Sequence, residues 1–320
     1  MASVSKRQNG QFYTTGNPFQ LSPFQKWVKR HELKDLPVLE PFAGANNLIR
    51  ALREIGMAKR FRSYDIAPAA KEVVCRDTLV NFPAKSSFCV TNPPWLAKNS
   101  AKRRGLAFPE TRYDDLYKYA LEKCLHNCAY VAALIPATFL RSGEFRDRLD
   151  TVIFLHDQNM FADTDNPVCL ALFSPKGSRI EIYDDGTRVG YLNDLEEKLP
   201  AASPYVRLTF NHPEGALGLV AIDNTRGPSI RFLPGKELSA HEMKETSRMI
   251  TRIKIEVPEL DQLIDRLNAD LAEFRKSTSD VFLTPFKGLR KDGQYRRRID
   301  YRLARDFIAK CTDPRHTLGV

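Results

Sequence analysis

The chain of 320 residues carries 49 Lys and Arg against 39 Asp and Glu, for a formal charge of +10 and a pI near 9.3. Its 42% hydrophobic and 28% charged residues are those of an ordinary globular protein, which excludes disordered and fibrous chains, and the length suits about two domains. The basic balance favours a polyanionic partner.

Met1 to Gly10 is polar, unlike a signal peptide, and no apolar run approaches membrane-spanning length, so a cytoplasmic protein without a membrane partner is expected. The six cysteines, Cys75, Cys89, Cys124, Cys128, Cys169 and Cys311, read as reduced core residues. Cys124-Leu-His-Asn-Cys128 lies in a helical pattern and lacks a second ligand pair, so no metal site is expected.

In chain order, Gly10-Gln-Phe12-Tyr13-Thr14-Thr15 is an aromatic loop leading to a helix near Ser22-Pro23. Pro37 to Glu40 reads as a strand, Pro41-Phe42-Ala43-Gly44-Ala45-Asn46-Asn47 as a small-residue turn, and Leu48 to Ile55 as a helix ended by Gly56, the start of a nucleotide-binding α/β unit. Asn46 tolerates the left-handed backbone that such a turn requires. A second strand ends at Asp65-Ile66, at a spacing from the first where a carboxylate can meet ribose hydroxyls, although taken alone a surface acid ending a strand is the simpler reading. Val73-Val-Cys-Arg-Asp77-Thr78 follows, and Phe88 to Thr91 is a short buried strand stopped by Asn92-Pro93-Pro94-Trp95. Glu40, Asp65, Asp77 and Asn92 thus each close one of four successive strand-like runs. Ligands bind at the carboxyl edge of such a sheet.

The backbone carbonyls around Pro93 and Pro94 lack local amide partners, so two acceptors can converge on one amino group beside the flat face of Trp95. That combination fits an exocyclic amine on an aromatic ring. Lys98 to Arg104 forms a basic loop with Lys102, Arg103 and Arg104 at its end, placed to grip phosphates or simply to be solvated. A helix over 114–128 then leads to strands over 131–136, 152–155 and 167–173, the last closing a hairpin past Phe161. Beyond residue 175 the pattern changes to short strands with Gly and Pro breaks and a helix from Pro258 with one apolar face. Near the end, Arg290-Lys291 and Gln294-Tyr295-Arg296-Arg297-Arg298 mix cations with a tyrosine, a composition that can track a phosphate backbone.

Taken together, the Phe-Tyr-Thr segment, Glu40-Pro41-Phe42-Ala43-Gly44, Asp65, Asp77 and Asn92-Pro93-Pro94-Trp95 resemble, in this order, the gamma-arranged adenine-N6 DNA methyltransferases of restriction-modification systems, over residues 10 to about 175. The chain departs from that pattern at Asn46, where a second glycine is usual, and at Thr15, where proline is usual. The resemblance implies a doubly wound Rossmann-like methyltransferase sheet over 1–175 and a mixed α+β target-recognition domain over 176–320. It implies S-adenosyl-L-methionine as cofactor, held by Phe12, Tyr13, Thr14, Glu40, Phe42, Gly44, Asp65, Ile66, Asp77, Thr78 and Asn92. Catalysis would fall to Asn92, Pro93, Pro94 and Trp95 acting on a flipped adenine, with Phe161 as a second stacking ring unless it is a core residue. Double-stranded DNA is the implied partner, contacted by Lys102, Arg103, Arg104, Arg290, Lys291, Arg296, Arg297 and Arg298. A cognate restriction endonuclease would be a functional companion to a monomer. An RNA base methyltransferase with the same core, and a silent DNA-binding relic, are the alternatives.

Overall fold

The computed structural model describes residues 14, 16–156, 161, 166–177, 179–201, 206–238 and 247–312. Phe12 and Tyr13 lie outside these residues. The chain divides into two compact units, 1–192 and 193–320.

The first unit is a mostly parallel, doubly wound sheet of the Rossmann-like kind expected from the sequence. Its strands are β1 (Val38–Glu40), β2 (Phe61–Asp65), β3 (Val74–Cys75), β4 (Ser86–Thr91), β5 (Cys128–Pro136), β6 (Leu149–Leu155), β7 (Val168–Phe173), β8 (Glu181–Asp184) and β9 (Thr187–Tyr191). They lie in the order β3-β2-β1-β4-β5-β7-β6-β8-β9. β1 pairs in parallel with both β2 and β4, so the chain winds outward in two directions from β1. The four runs ending at Glu40, Asp65, Asp77 and Asn92 therefore deliver their carboxyl ends to one edge. β7 is antiparallel to both β5 and β6, which makes the expected hairpin.

The central strands are buried on both faces and accordingly lack polar alternation: β6 and β7 are buried throughout. Helix α1 (Ser22–Arg30) begins at Ser22, with proline in its first turn, and covers the sheet with Phe24, Trp27 and Val28. Trp27 lies against Phe88 at 6.0 Å between ring centroids. Helix α2 (Asn47–Glu54) sinks Leu48, Ile49 and Leu52. Five of the six cysteines are buried, and Cys75 is exposed on the edge strand. Among the described residues no helix is long and apolar enough to cross a membrane, and no group of three or more His, Cys, Asp or Glu is placed to hold a metal.

The first unit runs on to Leu192 rather than ending at 175. The reason is pairing that local pattern does not reveal: β8 joins β6 in parallel and turns back through β9, extending the same sheet.

The second unit has an antiparallel sheet of β10 (Thr209–Phe210), β13 (Ile250–Lys254), β11 (Leu217–Val220) and β12 (Arg231–Pro234), in that order, and a separate hairpin of β14 (Thr284–Leu289) and β15 (Tyr295–Arg298). Helices α5 (Leu260–Thr278) and α6 (Tyr301–Thr312) pack with them. The apolar stripe expected from Pro258 onward is present: Leu263, Ile264, Leu267, Leu271 and Phe274 enter the core of this unit, where Phe274 meets Phe307 edge-on at 5.2 Å. Two glycines sit where backbones nearly touch. A Cβ on Gly235 would lie 2.1 Å from the Gly215 carbonyl oxygen, so no larger residue fits without displacing the strand end.

Candidate functional site

The turn after β1 shows how the sequence builds a ligand-facing loop without its second glycine. Gly44 has φ 51° and Asn46 has φ 63°, both left-handed. Asn46 is buried, and both ends of its amide are engaged: Oδ1 accepts from Ser63 Oγ at 2.7 Å, and Nδ2 donates to Glu72 Oε1 at 3.3 Å. The strain of a left-handed residue with a Cβ is thus offset by two side-chain bonds that glycine could not make. The loop is also laced to β2, where the Gly44 amide donates to Asp65 Oδ2 at 2.8 Å and the Ala43 amide to the Tyr64 carbonyl at 2.8 Å. Asp65 Oδ1 accepts from the Ala67 amide at 2.8 Å, so this carboxylate fixes two loops while its end of the strand faces the cavity.

A cleft opens at this edge. Of the residues expected from the sequence, it is lined by Glu40, Phe42 and Gly44 from the first turn, Asp65 and Ile66 from the second, and Asp77 and Thr78 from the third. Thr14, Asn92, Pro93 and Pro94 complete the wall. Ala43, Asn47, Leu48 and Leu79 also line it and were not singled out in the sequence. Asn47 could have been found from its place at the first position of the helix after the glycine turn. Ile66 is 63% exposed, an apolar face held at the rim of a polar cleft. Thr78 Oγ1 donates to the Pro41 carbonyl at 2.7 Å, tying the third turn to the first. Asp77 Oδ1 accepts from the Leu79 and Val80 amides at 3.0 and 3.3 Å.

The electrostatics are one-sided. Glu40, Asp65 and Asp77 contribute three carboxylates, and no Lys, Arg or His occurs among the described lining residues. Glu40 is buried, and its Oε2 has no hydrogen-bond partner among the described residues. Burial foremost, and then the nearby Asp65 charge, raise its pKa well above the usual carboxylate range, against a smaller opposing effect of the Ile49 amide. A buried acid in this state is stabilised by an incoming cation.

Beyond Asn92, the chain is pinned to helix α4 (Leu116–Asn127). The Leu96 amide donates to Asp115 Oδ1 at 3.1 Å, and the Lys98 amide to the Asp114 carbonyl at 2.8 Å. Burial pushes the Asp115 carboxyl up to about 6. Trp95 and Phe161 are brought together as expected, but as neighbours rather than as a slot: their rings stand edge to face, 5.1 Å apart at 86°, and both are buried. A flat heterocycle has no room between rings so arranged, so stacking on both faces requires the Phe161 ring to move.

The expected basic loop is a helix, α3 (Lys98–Arg104), stopped by Gly105 in the left-handed conformation with φ 64°. Lys102, Arg103 and Arg104 are exposed on its last turn, where cations also oppose the helix dipole. Its Ala101 packs in a small cluster with Leu96 and Leu116, against which Leu79 of the cleft wall rests.

In the second unit the basic stretch is partly interior, not a continuous surface. Arg290 is buried and ion-paired, with Nη1 3.1 Å from Asp223 Oδ2 and Nη2 3.0 Å from Asp292 Oδ2. Arg297 is also buried, and its backbone amide donates to Asp223 Oδ2 at 3.2 Å. Arg296 Nε donates to the Asp223 carbonyl at 2.7 Å. Arg290 and Arg297 therefore build the interior and are not phosphate contacts. Lys291 is exposed and Arg298 half-buried.

No family model and no curated protein matches the chain. Among solved structures it is similar to a modification subunit of a putative type I restriction enzyme from Vibrio vulnificus YJ016, with 16% identity and a TM-score of 0.39 over 55% of this chain and 47% of that one. It is similar to a putative class I S-adenosylmethionine-dependent methyltransferase from Listeria monocytogenes, with 14% identity and a TM-score of 0.36 over 53% and 68% of the two chains. The type I restriction enzyme EcoKI M protein matches with 12% identity and a TM-score of 0.33 over 77% and 67%. The chain thus spans less than half of the first of these proteins.

Proposed function

We propose that the chain is an S-adenosylmethionine-dependent DNA methyltransferase acting on the N6 amine of adenine, with the first unit as catalytic domain and the second as target-recognition domain. The charge of the cleft carries this reading. Phosphate-bearing cofactors need backbone donors or cations at the turn, whereas this wall offers Glu40, Asp65 and Asp77 and no cation among its described lining residues. It suits a nucleoside that is itself positively charged and lacks phosphate. The unpartnered Glu40 Oε2 fits an amino-acid ammonium, Asp65 fits ribose hydroxyls, and Ile66 and Asp77 fit the face and amino group of an adenine ring. When bound, S-adenosyl-L-methionine supplies a methyl group on a sulfonium centre.

The protein's own part begins with the target base. Inside a duplex the adenine amine is paired and stacked, so the nucleotide is flipped out. Unstacking costs a few kcal/mol, and a ring face such as Trp95 restores roughly 1–3 kcal/mol per base. The Asn92 side-chain oxygen and the Pro93 carbonyl accept hydrogen bonds from the two N6 N–H groups. They draw the nitrogen toward tetrahedral geometry and stabilise the positive charge it gains as the methyl arrives. No strong base is needed, because the methylated ammonium loses its proton to solvent. Lys102, Arg103, Arg104, Lys291 and Arg298 remain as phosphate contacts. The expected setting is a cytoplasmic monomer working beside a cognate restriction endonuclease.

Calorimetric titration of the full chain with S-adenosylmethionine, alone and as Glu40→Gln, tests the cofactor assignment. The substitution removes a charge-assisted contact and is expected to weaken binding by roughly 10- to 150-fold. It also has a stability signature of defined sign. Because the folded pKa of Glu40 lies above its unfolded value, its contribution is fully present below the unfolded pKa of about 4.3 and is lost as pH rises through the folded value. Without cofactor, the melting temperature of Glu40→Gln should therefore gain on that of the wild type as pH increases. Unchanged affinity contradicts the cofactor assignment; a gap that does not vary with pH contradicts the raised pKa of Glu40.

A further inference from the structure

Thr14 is engaged on three sides by residues far from it in sequence. Its hydroxyl accepts from Asn92 Nδ2 at 3.4 Å, and its carbonyl accepts from Asn47 Nδ2 at 2.8 Å. Its backbone forms an antiparallel bridge with Phe161. The residue is 5% exposed, so these contacts are made away from bulk water. Asn47 opens α2, directly after the glycine turn, which anchors Thr14 to the most firmly laced part of the cleft.

The hydroxyl contact bears on a choice that Asn92 must make. A side-chain amide has an acceptor end and a donor end of nearly equal size, and half a turn about its last bond exchanges them. The N6 amine is itself a donor. With Nδ2 toward the base, two donors would face each other; with Oδ1 toward it, the amine gains its acceptor. A hydroxyl can meet either end of an amide; here it is Asn92 Nδ2 that donates to the Thr14 hydroxyl oxygen, the contact that belongs to the second state.

We propose that Thr14 is a positioning residue whose hydroxyl holds the Asn92 amide with its oxygen presented to the target amine, itself held in place by Asn47 and by the bridge to Phe161. This rests on the adenine-methyltransferase reading. It replaces direct cofactor binding, the role expected from the sequence, as the task of the Thr14 side chain.

The test uses the full chain as wild type, Thr14→Val, Thr14→Ser, Asn92→Ala and the Thr14→Val/Asn92→Ala double variant. Single-turnover methylation of unmethylated duplex DNA is measured beside calorimetric binding of S-adenosylmethionine. Thr14→Val keeps the shape and loses the acceptor, and is expected to slow turnover roughly tenfold with cofactor affinity within about twofold of wild type. Thr14→Ser restores the hydroxyl and should return the rate to within about threefold. In the Asn92→Ala background Thr14→Val should add nothing, because no amide remains to be oriented. A Thr14→Val that weakens cofactor binding as much as it slows turnover, that matches wild type, or that keeps its full effect without Asn92 overturns the positioning role while leaving the methyltransferase intact. A wild type that binds cofactor but methylates no adenine overturns the adenine reading, and the positioning role with it.

Discussion

Replacing Asn92 by alanine is expected to lower single-turnover methylation of duplex DNA by roughly 10²–10³-fold, the effect of deleting one preorganised polar group aimed at developing charge. Cofactor affinity should stay within about twofold, since the contact matters in the transition state more than in the ground state. The location supports that division. Asn92 sits where β4 ends against two prolines, on the cleft wall it shares with Glu40 and Asp65, and its amide nitrogen donates to the Thr14 hydroxyl. Equal loss of rate and affinity would remove Asn92 from the role of acceptor and make it a cofactor contact.

The second large effect lies in the other unit. Asp223 is fully buried and takes two bonds from Arg275, 2.9 Å from Nη1 to Oδ1 and 2.8 Å from Nη2 to Oδ2, and a third from Arg290 at 3.1 Å. Its oxygens also accept from the Ser229 amide at 2.7 Å and the Arg297 amide at 3.2 Å. Asp223→Ala leaves the buried Arg290 and the half-buried Arg275 short of a partner and should cost about 3–5 kcal/mol. Asp292→Ala removes a half-exposed partner of Arg290 and should cost about 1 kcal/mol or less. Because the chain has two units, hydrogen exchange is the suitable measurement. Amides of β11 and β13 should lose protection in Asp223→Ala while those of β4 and β5 keep it. Undiminished protection in β11 and β13 would show that the cluster does not hold the unit together.

The same cluster sets a pH dependence. Burial pushes the Asp223 carboxyl up, but the Arg275 hydrogen bonds, the amides and the Arg275 charge outweigh it and hold the pKa below the usual value. The stabilisation is therefore present above the unfolded pKa of about 3.9 and fades as pH falls through the folded value. Asp223→Ala should lack that loss in acid.

The cleft was legible in the sequence because its parts are local. Glu40 and Asn92 each follow a short apolar run and Asp65 closes the strand-like Phe61-Arg-Ser-Tyr, and a chain of alternating strands and helices brings such ends to one edge. Asp77 was found in the same way, although β3 is only two residues long and Val74 on it is 57% exposed. The left-handed turn at Asn46 could also be foreseen, since asparagine is the residue that tolerates it; the bonds to Ser63 and Glu72 could not. What stayed hidden depends on pairing over long separations. Arg290 and Arg297 looked like a surface because nothing nearby in sequence announces that Asp223 is their partner, 67 residues from Arg290. The extension of the first sheet by β8 and β9 likewise depends on β6 accepting a parallel neighbour, a choice made by packing and not by the composition of residues 179–191. The edge-to-face contact of Trp95 with Phe161 is of the same kind, since sequence can nominate two rings but not the angle between them.

The central claim is tested most directly by nucleoside mass spectrometry of unmethylated duplex DNA incubated with the purified chain and S-adenosylmethionine, with a matched RNA sample alongside. N6-methyladenine in the DNA, absent when Asn92→Ala is used, is the predicted result. Methylation confined to the RNA, or no methylated base in either sample from a folded protein that binds the cofactor, would contradict it.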